Sequence, residues 1–590
     1  MKINKQFALV SVCILSLSIV SNCDNNFLEK RPFGTTTEAT LANKEGLNAL
    51  LIGAYSYLKG GSGGGFVSSW MAVASQDDAR LGCEDGASIE NCFLYDATNA
   101  YINERWVFLY SAIQNCNDVL RLLPEAKDLT DEEKGQINAE ARFLRGIYYL
   151  YLAIGWKNVP WIDETVTYSE QNYLVSNTTP IYPKIEEDFE HAANYLTETK
   201  AQVGRGNKWA AKCFLVKTYM FQKKFSEAKI LLDDIIVNGK TSNNLKYGLL
   251  EKYGDNFKTE TKNGREGVFV VQMSVNDGAN GANGNPMDYF NGPYGSPATC
   301  CYGCFAPYFD LIDAYQTDHL TGLPLIDTYQ LTPIKNDQGL SSSDPFTPHE
   351  GTLDSRLDWC VGRRGIPYLD WGVHPGKSWI RSQYTDGPYS AIKNICWQAR
   401  VETDREAGSS ATNTPLSLIR FADVLLWAAE CEIEVGRLSN AESYVNRVRE
   451  RASNPQGFVY KYIDDNDPLR GFSSIPAANY KVGLYTGQFA SNGKTYARKA
   501  VRFERRLELA CEHQRYFDLL RYDGLDFDLA NWHNWVMQRE GSQPGFNPSN
   551  NYKQAMFIRD KNELFPIPQE QIDKSAGKNG ISVLIQNPGW

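Results

Sequence analysis

Apolar residues recur every three or four positions along several stretches of the chain, the pattern of a helix with one buried face. The clearest stretch is 131–154, where Ala139, Phe143 and Ile147 fall on one side and Pro160 follows as a terminator. The same pattern predicts helices over residues 43–58 and 104–123. Helix is therefore the dominant element that the sequence predicts.

Residues 208–237 resemble a tetratricopeptide hairpin, in which two helices pack closely around small side chains. Leu215 and Tyr219 are four positions apart, Ala228 follows nine positions later, and Leu232 comes four after that. This is the repeat's spacing for knob and hole positions. The segment is predicted to form an antiparallel pair of helices.

Residues 417–451 predict a second hairpin with Ala429 and Ala441 at the small positions, although Glu432 stands where the repeat prefers tyrosine. The two hairpins are separated in the chain, so we predict one helical scaffold rather than a free-standing solenoid. The expected fold is mainly α: a single helical body with tetratricopeptide-like hairpins and a large loop-rich ligand-binding region.

The irregular sequence lies between these helical pieces. Residues 267–275 alternate like a short strand, and residues 276–411 are rich in Gly, Pro, Asn, Tyr and Trp. Long irregular stretches inside a folded protein are usually functional, and binding residues tend to lie on loops that a rigid scaffold carries. We therefore predict a shallow ligand groove built from residues 66–101 and 276–379.

Flat aromatic rings and hydrogen-bonding side chains in these loops suit a carbohydrate, whose ring carries apolar C–H faces and hydroxyl groups. The chain has 13 Trp and 33 Tyr, many of them in the loops. The candidate stacking residues are Trp70, Tyr95, Tyr294 and Trp371. The candidate hydroxyl partners are Asp78, Arg80 and Asn99.

The first 22 residues have the features of a secretory signal peptide. Lys2 and Lys5 precede an apolar run, 7–20, that is too short to span a bilayer, which takes ~20 apolar residues. The run ends at Cys23 in a box that resembles the cleavage site of bacterial lipoproteins, although Asn22 departs from the small residue usual there. Lipidation of Cys23 is therefore expected.

Charge and cysteine content narrow the possible partners further. The formal net charge is −10, and loss of the two signal lysines makes it more negative, which argues against nucleic acid as a partner. Cys83 and Cys92 could bridge a short loop. The cluster of Cys300, Cys301 and Cys304 lacks a fourth zinc ligand at useful spacing, so neither a metal nor a cofactor is predicted.

Several segments, in order along nearly the whole mature chain, resemble the SusD/RagB family of outer-membrane lipoproteins. They are residues 23–29 (CDNNFLE), 140–145 (EARFLR), 418–426 (LIRFADVLL), 504–509 (ERRLEL), 515–521 (RYFDLLR) and 564–568 (LFPIP). On this basis we predict a signal peptide over 1–22, an N-terminal part over 23–265 and a C-terminal part over 266–590 that is loop-rich to about residue 411.

The resemblance implies a non-enzymatic, surface-exposed protein that holds an oligosaccharide over a TonB-dependent outer-membrane transporter and passes it inward. Some members hold a peptide instead, so peptide capture is an alternative. A glycoside hydrolase on a helical scaffold and a pure assembly scaffold are the others. The charged residues from Arg502 to Asp518 could suggest acid–base chemistry, but their spacing predicts ion pairs along one helix.

Overall fold

The computed structural model describes residues 38–59, 77–81, 87–167, 172–287, 291–298, 303, 305–546 and 550–590. Cys23, Trp70, Cys83 and the cluster of Cys300, Cys301 and Cys304 lie outside these ranges. No helix within the described ranges is both long and apolar enough to cross a membrane.

Helices fill the first part of the chain. They are α1 (Glu38–Leu41), α2 (Lys44–Ser56), α3 (Ala87–Asn91), α4 (Ala100–Leu122), α5 (Asp131–Trp156), α6 (Tyr182–Tyr195), α7 (Lys208–Phe221) and α8 (Phe225–Asn238). The predicted helices at 43–58, 104–123 and 131–154 correspond to α2, α4 and α5 with ends shifted by a few residues. Helix α5 begins with a capping box in which Thr130 and Glu133 satisfy each other's backbone N–H groups.

Short helices and then longer ones make up the second part. They are α9 (Phe309–Ala314), α10 (Leu357–Cys360), α11 (Gln383–Asp386), α12 (Val401–Asp404), α13 (Phe421–Glu434), α14 (Leu438–Ser453), α15 (Gln488–Leu509), α16 (Arg515–Tyr522), α17 (Leu529–Gly541), α18 (Asn550–Gln554) and α19 (Gln569–Lys574). The helices and strands within the described residues of the region 276–411 are therefore all short, as its composition indicates.

The described strands form four two-stranded antiparallel sheets. The strands are β1 (Ala79–Leu81), β2 (Gly267–Val271), β3 (Phe305–Pro307), β4 (Val361–Gly362), β5 (Ser390–Ala391), β6 (Leu416–Arg420), β7 (Tyr460–Tyr462) and β8 (Phe472–Pro476). They pair as β1–β3, β2–β6, β4–β5 and β7–β8. The pairing of Ala79 with Pro307 joins the two loop segments from which the groove was predicted.

Both predicted hairpins form, and they pack on each other. Helices α7 and α8 make the first, α13 and α14 make the second, and Ala228, Ala429 and Ala441 are fully buried where the helices approach. Glu432, which replaces the tyrosine of the repeat, pairs with Lys229 of the first hairpin at 2.8 Å. The glutamate that departs from the repeat pattern therefore forms an ion pair between the two hairpins.

The start of the second hairpin differs from the prediction, because residues 417–420 belong to strand β6 rather than to a helix. Leu418 and Ile419 are buried there, and β6 pairs with β2. The tertiary pairing overrides the helical pattern that continues into α13. The strand β2 itself ends at Val271, earlier than the predicted end at residue 275.

One continuous core contains buried residues from Leu47 near the start to Leu584 near the end. Hydrogen bonds join the last segment of the chain to α5. Trp156 Nε1 donates to Pro566 O at 2.8 Å, and Phe565 N donates to Gly155 O at 2.9 Å. Asn587 Nδ2 also donates to Phe565 O at 2.8 Å. The division of the chain at residues 265 and 266 stays a prediction.

Candidate functional site

The charged residues of α15 are structural, but they pair across the fold rather than along one helix. Arg506 binds Asp78 at 2.9 Å and Asp310 at 2.7 Å, and both partners come from distant parts of the chain. Glu504 pairs with Arg449 at 2.7 Å. The expectation of ion pairs three and four residues apart on one helix is corrected here. Because this face of α15 is buried, each charge needs a partner from a packed neighbour.

Asp78, just before β1, and Arg80, on β1, were predicted as hydroxyl partners, but both side chains are buried in the interior. Asp78 is 1% exposed and paired with Arg506, and Arg80 is 4% exposed. The Arg80 guanidinium lies between the rings of Tyr308 (4.8 Å) and Phe546 (4.3 Å). Their burial argues against direct contact with a surface ligand, and both side chains instead fix β1 on the body.

Tyr95 and Asn99 also take part in internal packing. The Tyr95 ring is 4% exposed and stacks on Trp590 at 5.2 Å, and its burial raises the pKa of the phenol. Asn99 is half-buried and caps α4: its Oδ1 accepts from Ile102 N at 3.0 Å, and its Nδ2 donates to Glu90 at 2.5 Å. Sequence position next to a loop does not distinguish such packing from ligand contact.

Tyr294 and Trp371 lie in the loop-rich region as predicted. Tyr294 is 44% exposed, with the Arg381 guanidinium 5.1 Å from its ring centre. Trp371 is half-buried, donates from Nε1 to Cys396 O at 2.8 Å, and packs with Trp379 on a small cluster that includes Ala298. Residues 291–298 therefore lie beside the tryptophan-rich loops.

A cleft of about 880 Å³ lies at the end of α2, and only Ala282 and Asn283 of the predicted loop segments are among its described lining residues. The end of α2, the middle of α4, the turn at 201–205, strand β2 and the loop at 272–283 line it. Its apolar wall includes the ring pair of Tyr57 and Phe108, whose centroids are 5.0 Å apart, and the exposed side chains of Ile52 and Val203. A cleft of this size and apolar character is typical of ligand sites.

The polar groups of this cleft are held in place by the protein. Arg205 donates from Nη1 to Glu140 at 3.1 Å and from Nη2 to Asn48 at 2.5 Å. The Tyr55 hydroxyl donates to Glu140 at 3.0 Å and accepts from Gly206 N at 2.9 Å. Burial, reinforced by the charge of Glu140, raises the pKa of Tyr55 well above its usual value. These groups give the cleft a fixed, preorganised polar side.

A hydrogen bond also joins one side of the cleft to the second predicted loop segment, 276–379. Lys59, just after α2, donates from Nζ to the carbonyl oxygen of Ala282. Asp277 accepts from Ser274 at 2.6 Å and from Asn283 at 2.8 Å, and these hydrogen bonds lower the pKa of its carboxyl to about 2. The loop that borders the cleft is therefore ordered by its own polar contacts.

Sequence reasoning missed the aromatic wall of this cleft. Tyr57 and Phe108 lie on or beside predicted helices and were not among the candidate stacking residues, which were chosen from the loops. The signal that could have found them is the position of Tyr57 immediately before the Gly/Ser-rich linker at 59–65. Ile52 is 51% exposed, which marks an apolar stripe of α2 that the body does not cover.

Carboxyl groups with raised pKa values, the usual mark of a general acid, lie away from this cleft. Burial raises the pKa of Asp313 to about 7, of Glu540 to about 7 and of Asp386 to about 6. None of the three lines the cleft. A glycosidase needs two carboxyl groups on either side of the scissile bond. The described lining of the cleft does not place such a pair there.

The cysteines described are buried thiols. Cys92 is a free cysteine with no exposed surface, and Cys83, the partner considered from the sequence, lies outside the described residues. Cys116, Cys213, Cys431 and Cys511 are also buried and free, in keeping with a packing role. Among the residues that the structure describes, no group of three acidic, histidine or cysteine side chains could hold a metal ion.

A mostly helical body with tetratricopeptide-like hairpins is the fold expected from the motifs, and two family models match the chain. The sequence model of the SusD family matches residues 265–590. A second model, described as "Starch-binding associating with outer membrane", matches residues 26–220. The chain belongs to the SusD family.

Individual relatives are distant but cover the whole chain. The SusD-like protein P2 of Formosa agariphila is 23% identical over 602 residues, covering 98% of this chain and 99% of its own. A SusD-like protein from Bacteroides fragilis NCTC 9343 has a TM-score of 0.67 at 18% identity, covering 94% of this chain and 99% of its own. A laminarin-binding SusD-like protein has a TM-score of 0.63 at 20% identity, covering 93% and 100%. These structures show a shared fold.

Proposed function

We propose that this protein is a cell-surface lipoprotein that binds oligosaccharide or polysaccharide and delivers it to a TonB-dependent outer-membrane transporter. The observation that carries the proposal is the cleft of about 880 Å³ with the aromatic side chains of Tyr57 and Phe108 in its wall. Family membership supports it, since one matching family model is described as starch-binding. A structural neighbour from Bacteroides thetaiotaomicron, a surface glycan-binding protein, was solved with laminarihexaose.

The physical basis of binding would be stacking of sugar rings on flat side chains. Tyr57 and Phe108 in the cleft, and Tyr294 on the neighbouring loops, present rings that are at least partly exposed. Trp70 and Trp371 remain further candidates on the same loop segments. Stacking of a ring on an aromatic side chain contributes about 1–2 kcal/mol, by analogy with nucleic-acid bases. Several such contacts would give a useful affinity without any bond-making chemistry.

Binding to a panel of defined glycans tests this proposal. Calorimetry with laminarin, starch and other polysaccharides is expected to show binding to at least one, with no release of reducing ends. Tyr57→Ala and Phe108→Ala should each weaken binding roughly 5- to 30-fold, and Tyr294→Ala should act in the same direction. Tyr195→Ala is the matched control, because that tyrosine is 59% exposed on α6 and does not line the cleft.

Three outcomes would count against the proposal in different ways. Release of sugar products would favour the glycoside hydrolase. Binding of peptides with no glycan bound would favour the peptide-capturing alternative. Unchanged affinity in all three aromatic variants would show that the glycan site lies elsewhere on the protein.

The membrane location rests on Cys23 and on the family description that mentions the outer membrane. Several acyl chains on one residue anchor a protein firmly, whereas one chain is marginal. Cys23→Ala is therefore expected to move the protein from the membrane fraction to the soluble fraction with an unchanged melting temperature. Retention of that variant in washed membranes would contradict lipid anchoring.

A further inference from the structure

A second cavity, of about 340 Å³, lies between helices α15, α16 and α17 and the turn at Tyr329–Leu331. It is separate from the cleft described above and shares no lining residue with it. Six aromatic side chains line it: Tyr329, Phe503, Tyr522, Phe527, Trp532 and Trp535. Its volume falls at the lower end of ligand pockets, which measure about 300–1,000 Å³.

The aromatic rings leave apolar surface open to the cavity. Phe503, Phe527, Trp532 and Trp535 are only half-buried. Trp532 and Trp535 are three residues apart on α17, with ring centroids 5.2 Å apart at 35°. Phe527 lies 6.0 Å from Trp532. A flat, partly apolar ring would fit against this wall.

The cavity also contains a cation that the protein does not neutralise by an ion pair. The Arg502 guanidinium lies 4.5 Å from the centre of the Tyr522 ring and donates to Leu525 O at 2.7 Å. Among the described residues, no carboxylate lies within ion-pairing distance of it. Burial lowers the pKa of Arg502, and the opposing effects of Tyr522 and the more distant Glu430 do not cancel it.

The other cations of the cavity are neutralised by the protein. Arg515 pairs with Asp77 at 3.0 Å and Lys499 with Asp327 at 2.9 Å. Arg506 binds two carboxylates, as described above. Unlike these three residues, Arg502 has no carboxylate partner among the described residues. A guanidinium can donate two parallel hydrogen bonds to one carboxylate.

One acceptor in the wall also lacks a donor. The side-chain oxygen of Gln330 is buried and makes no hydrogen bond, while its Nε2 donates to Asp327 O at 3.2 Å. An unpaired buried polar atom costs free energy that a ligand hydroxyl would recover. The cavity therefore combines a flat apolar wall with a guanidinium that has no ion-pair partner. Its wall also contains one buried acceptor that has no hydrogen bond.

We propose that this cavity binds a uronic acid unit, a sugar ring that carries one carboxylate. The carboxylate would bind Arg502, the C–H face would pack on Trp535 and Phe503, and a hydroxyl group would donate to Gln330. A polyanion such as a phosphate ester is a poorer match, since Asp327 and Asp526 lie in the same wall. This inference rests on the proposed glycan-binding function and names a second subsite for it.

Calorimetry with methyl β-glucuronide and methyl β-glucoside, which differ only in the carboxylate, tests the inference. The glucuronide should bind the full-length protein roughly 10- to 100-fold more tightly, the range for one hydrogen-bonded charge. Arg502→Gln should remove this preference, Arg502→Lys should retain part of it, and Trp535→Ala should weaken binding of both sugars. Arg470→Gln is the control, because Arg470 is 57% exposed and lies on the remote β7–β8 hairpin.

The failures of the two proposals can be told apart. Equal binding of the two methyl sugars, no binding of the glucuronide, or an unchanged preference in a folded Arg502→Gln protein would each overturn the uronate site. Tight binding of acidic peptides in place of the glucuronide would also overturn it. Loss of binding to every glycan would overturn the proposed function itself. Neutral glycans that bind the first cleft should be unaffected by Arg502→Gln.

Discussion

Glu508 holds three arginines together in the interior of the body. Its carboxylate binds Arg356 at 3.0 Å, Arg420 at 2.9 Å and Arg451 at 2.5 Å. The carboxylate and Arg356 have no exposed surface, and the other two arginines are almost fully buried. Each charge in such a cluster is tolerated only because its partners are present.

Removal of the charge on Glu508 should therefore destabilise the protein strongly. Glu508→Gln removes the one carboxylate that all three arginines share and leaves the buried cluster with an excess of positive charge, so we expect a loss of about 3–5 kcal/mol in the free energy of unfolding. Chemical denaturation followed by circular dichroism measures it. Glu570→Gln is the matched control, since Glu570 forms an exposed pair with Lys574 and should change stability little. Similar stability of the two variants would contradict the role given to Glu508.

The same carboxylate gives stability a predictable dependence on pH. Although burial alone would raise it, the three arginines hold the pKa of Glu508 at about 2. The unfolded chain has an ordinary glutamate pKa of about 4.3. The stabilisation is therefore present above pH ~4.3 and is lost as the pH falls from there towards 2. Melting temperatures across this range should fall less steeply for Glu508→Gln than for the unmodified protein, and parallel curves would contradict the assignment.

The sequence contains residue types that suit a binding site, but it does not show which of them are buried. Asp78 and Arg80 lie in a predicted loop segment, yet their partners Arg506, Tyr308 and Phe546 come from hundreds of residues later. Only tertiary contacts bring those groups together. Exposure is a property of the whole fold, which a local pattern does not contain.

Helices were the most predictable elements, because a buried helical face leaves a periodic pattern in the sequence. Helix α5 begins at Asp131 as predicted and extends two residues past the predicted end. Strand β6 was missed because its pairing partner, β2, lies about 150 residues earlier. The boundary between a strand and the helix that follows it depends on that distant pairing.

Helices α5 and α6 pack closely at Gly146, so the effect of a larger side chain there on stability can be predicted. A Cβ atom there would lie 2.9 Å from the ring of Phe189, which is fully buried and stacked on Phe214 at 5.7 Å. The strain of about 1–3 kcal/mol from overpacking exceeds the gain of about 0.5–1 kcal/mol from replacing a helical glycine. Gly146→Ala should therefore lower the free energy of unfolding.

Gly135 provides the control within the same helix. No atom lies within 4 Å of the Cβ that alanine would add there. Gly135→Ala should raise the free energy of unfolding by about 0.5–1 kcal/mol, because only the helical preference of alanine acts. Denaturant midpoints measure both changes, and equal signs for the two variants would show that the packing at Phe189 is looser than described.

At the scale of the whole molecule, the fold gathers distant loops on a rigid helical body. Strands β1 and β3 pair residues near 80 with residues near 306, and Lys59 contacts the loop at Ala282. The segments that resemble the SusD/RagB family predicted a single, mainly helical body, and the structure confirms this fold. The cleft could not be placed from sequence, because its walls come from five separate segments.

The proposed delivery to a transporter requires a docking surface, and the family resemblance predicts this surface on the helical side. Helix α8 leaves Ile230 71% exposed and Val237 60% exposed, and residues seven apart lie on one face of a helix. If the protein docks on a transporter, its purification from membranes in mild detergent should recover a TonB-dependent protein. The combined change of Ile230→Glu and Val237→Glu should reduce that recovery without altering glycan affinity, since neither residue lines the cleft. Ile581→Glu, at a site 67% exposed near the end of the chain, is the matched control.

Repeated recovery of the chain alone would contradict delivery to a transporter, and equal recovery with all variants would place the docking surface elsewhere.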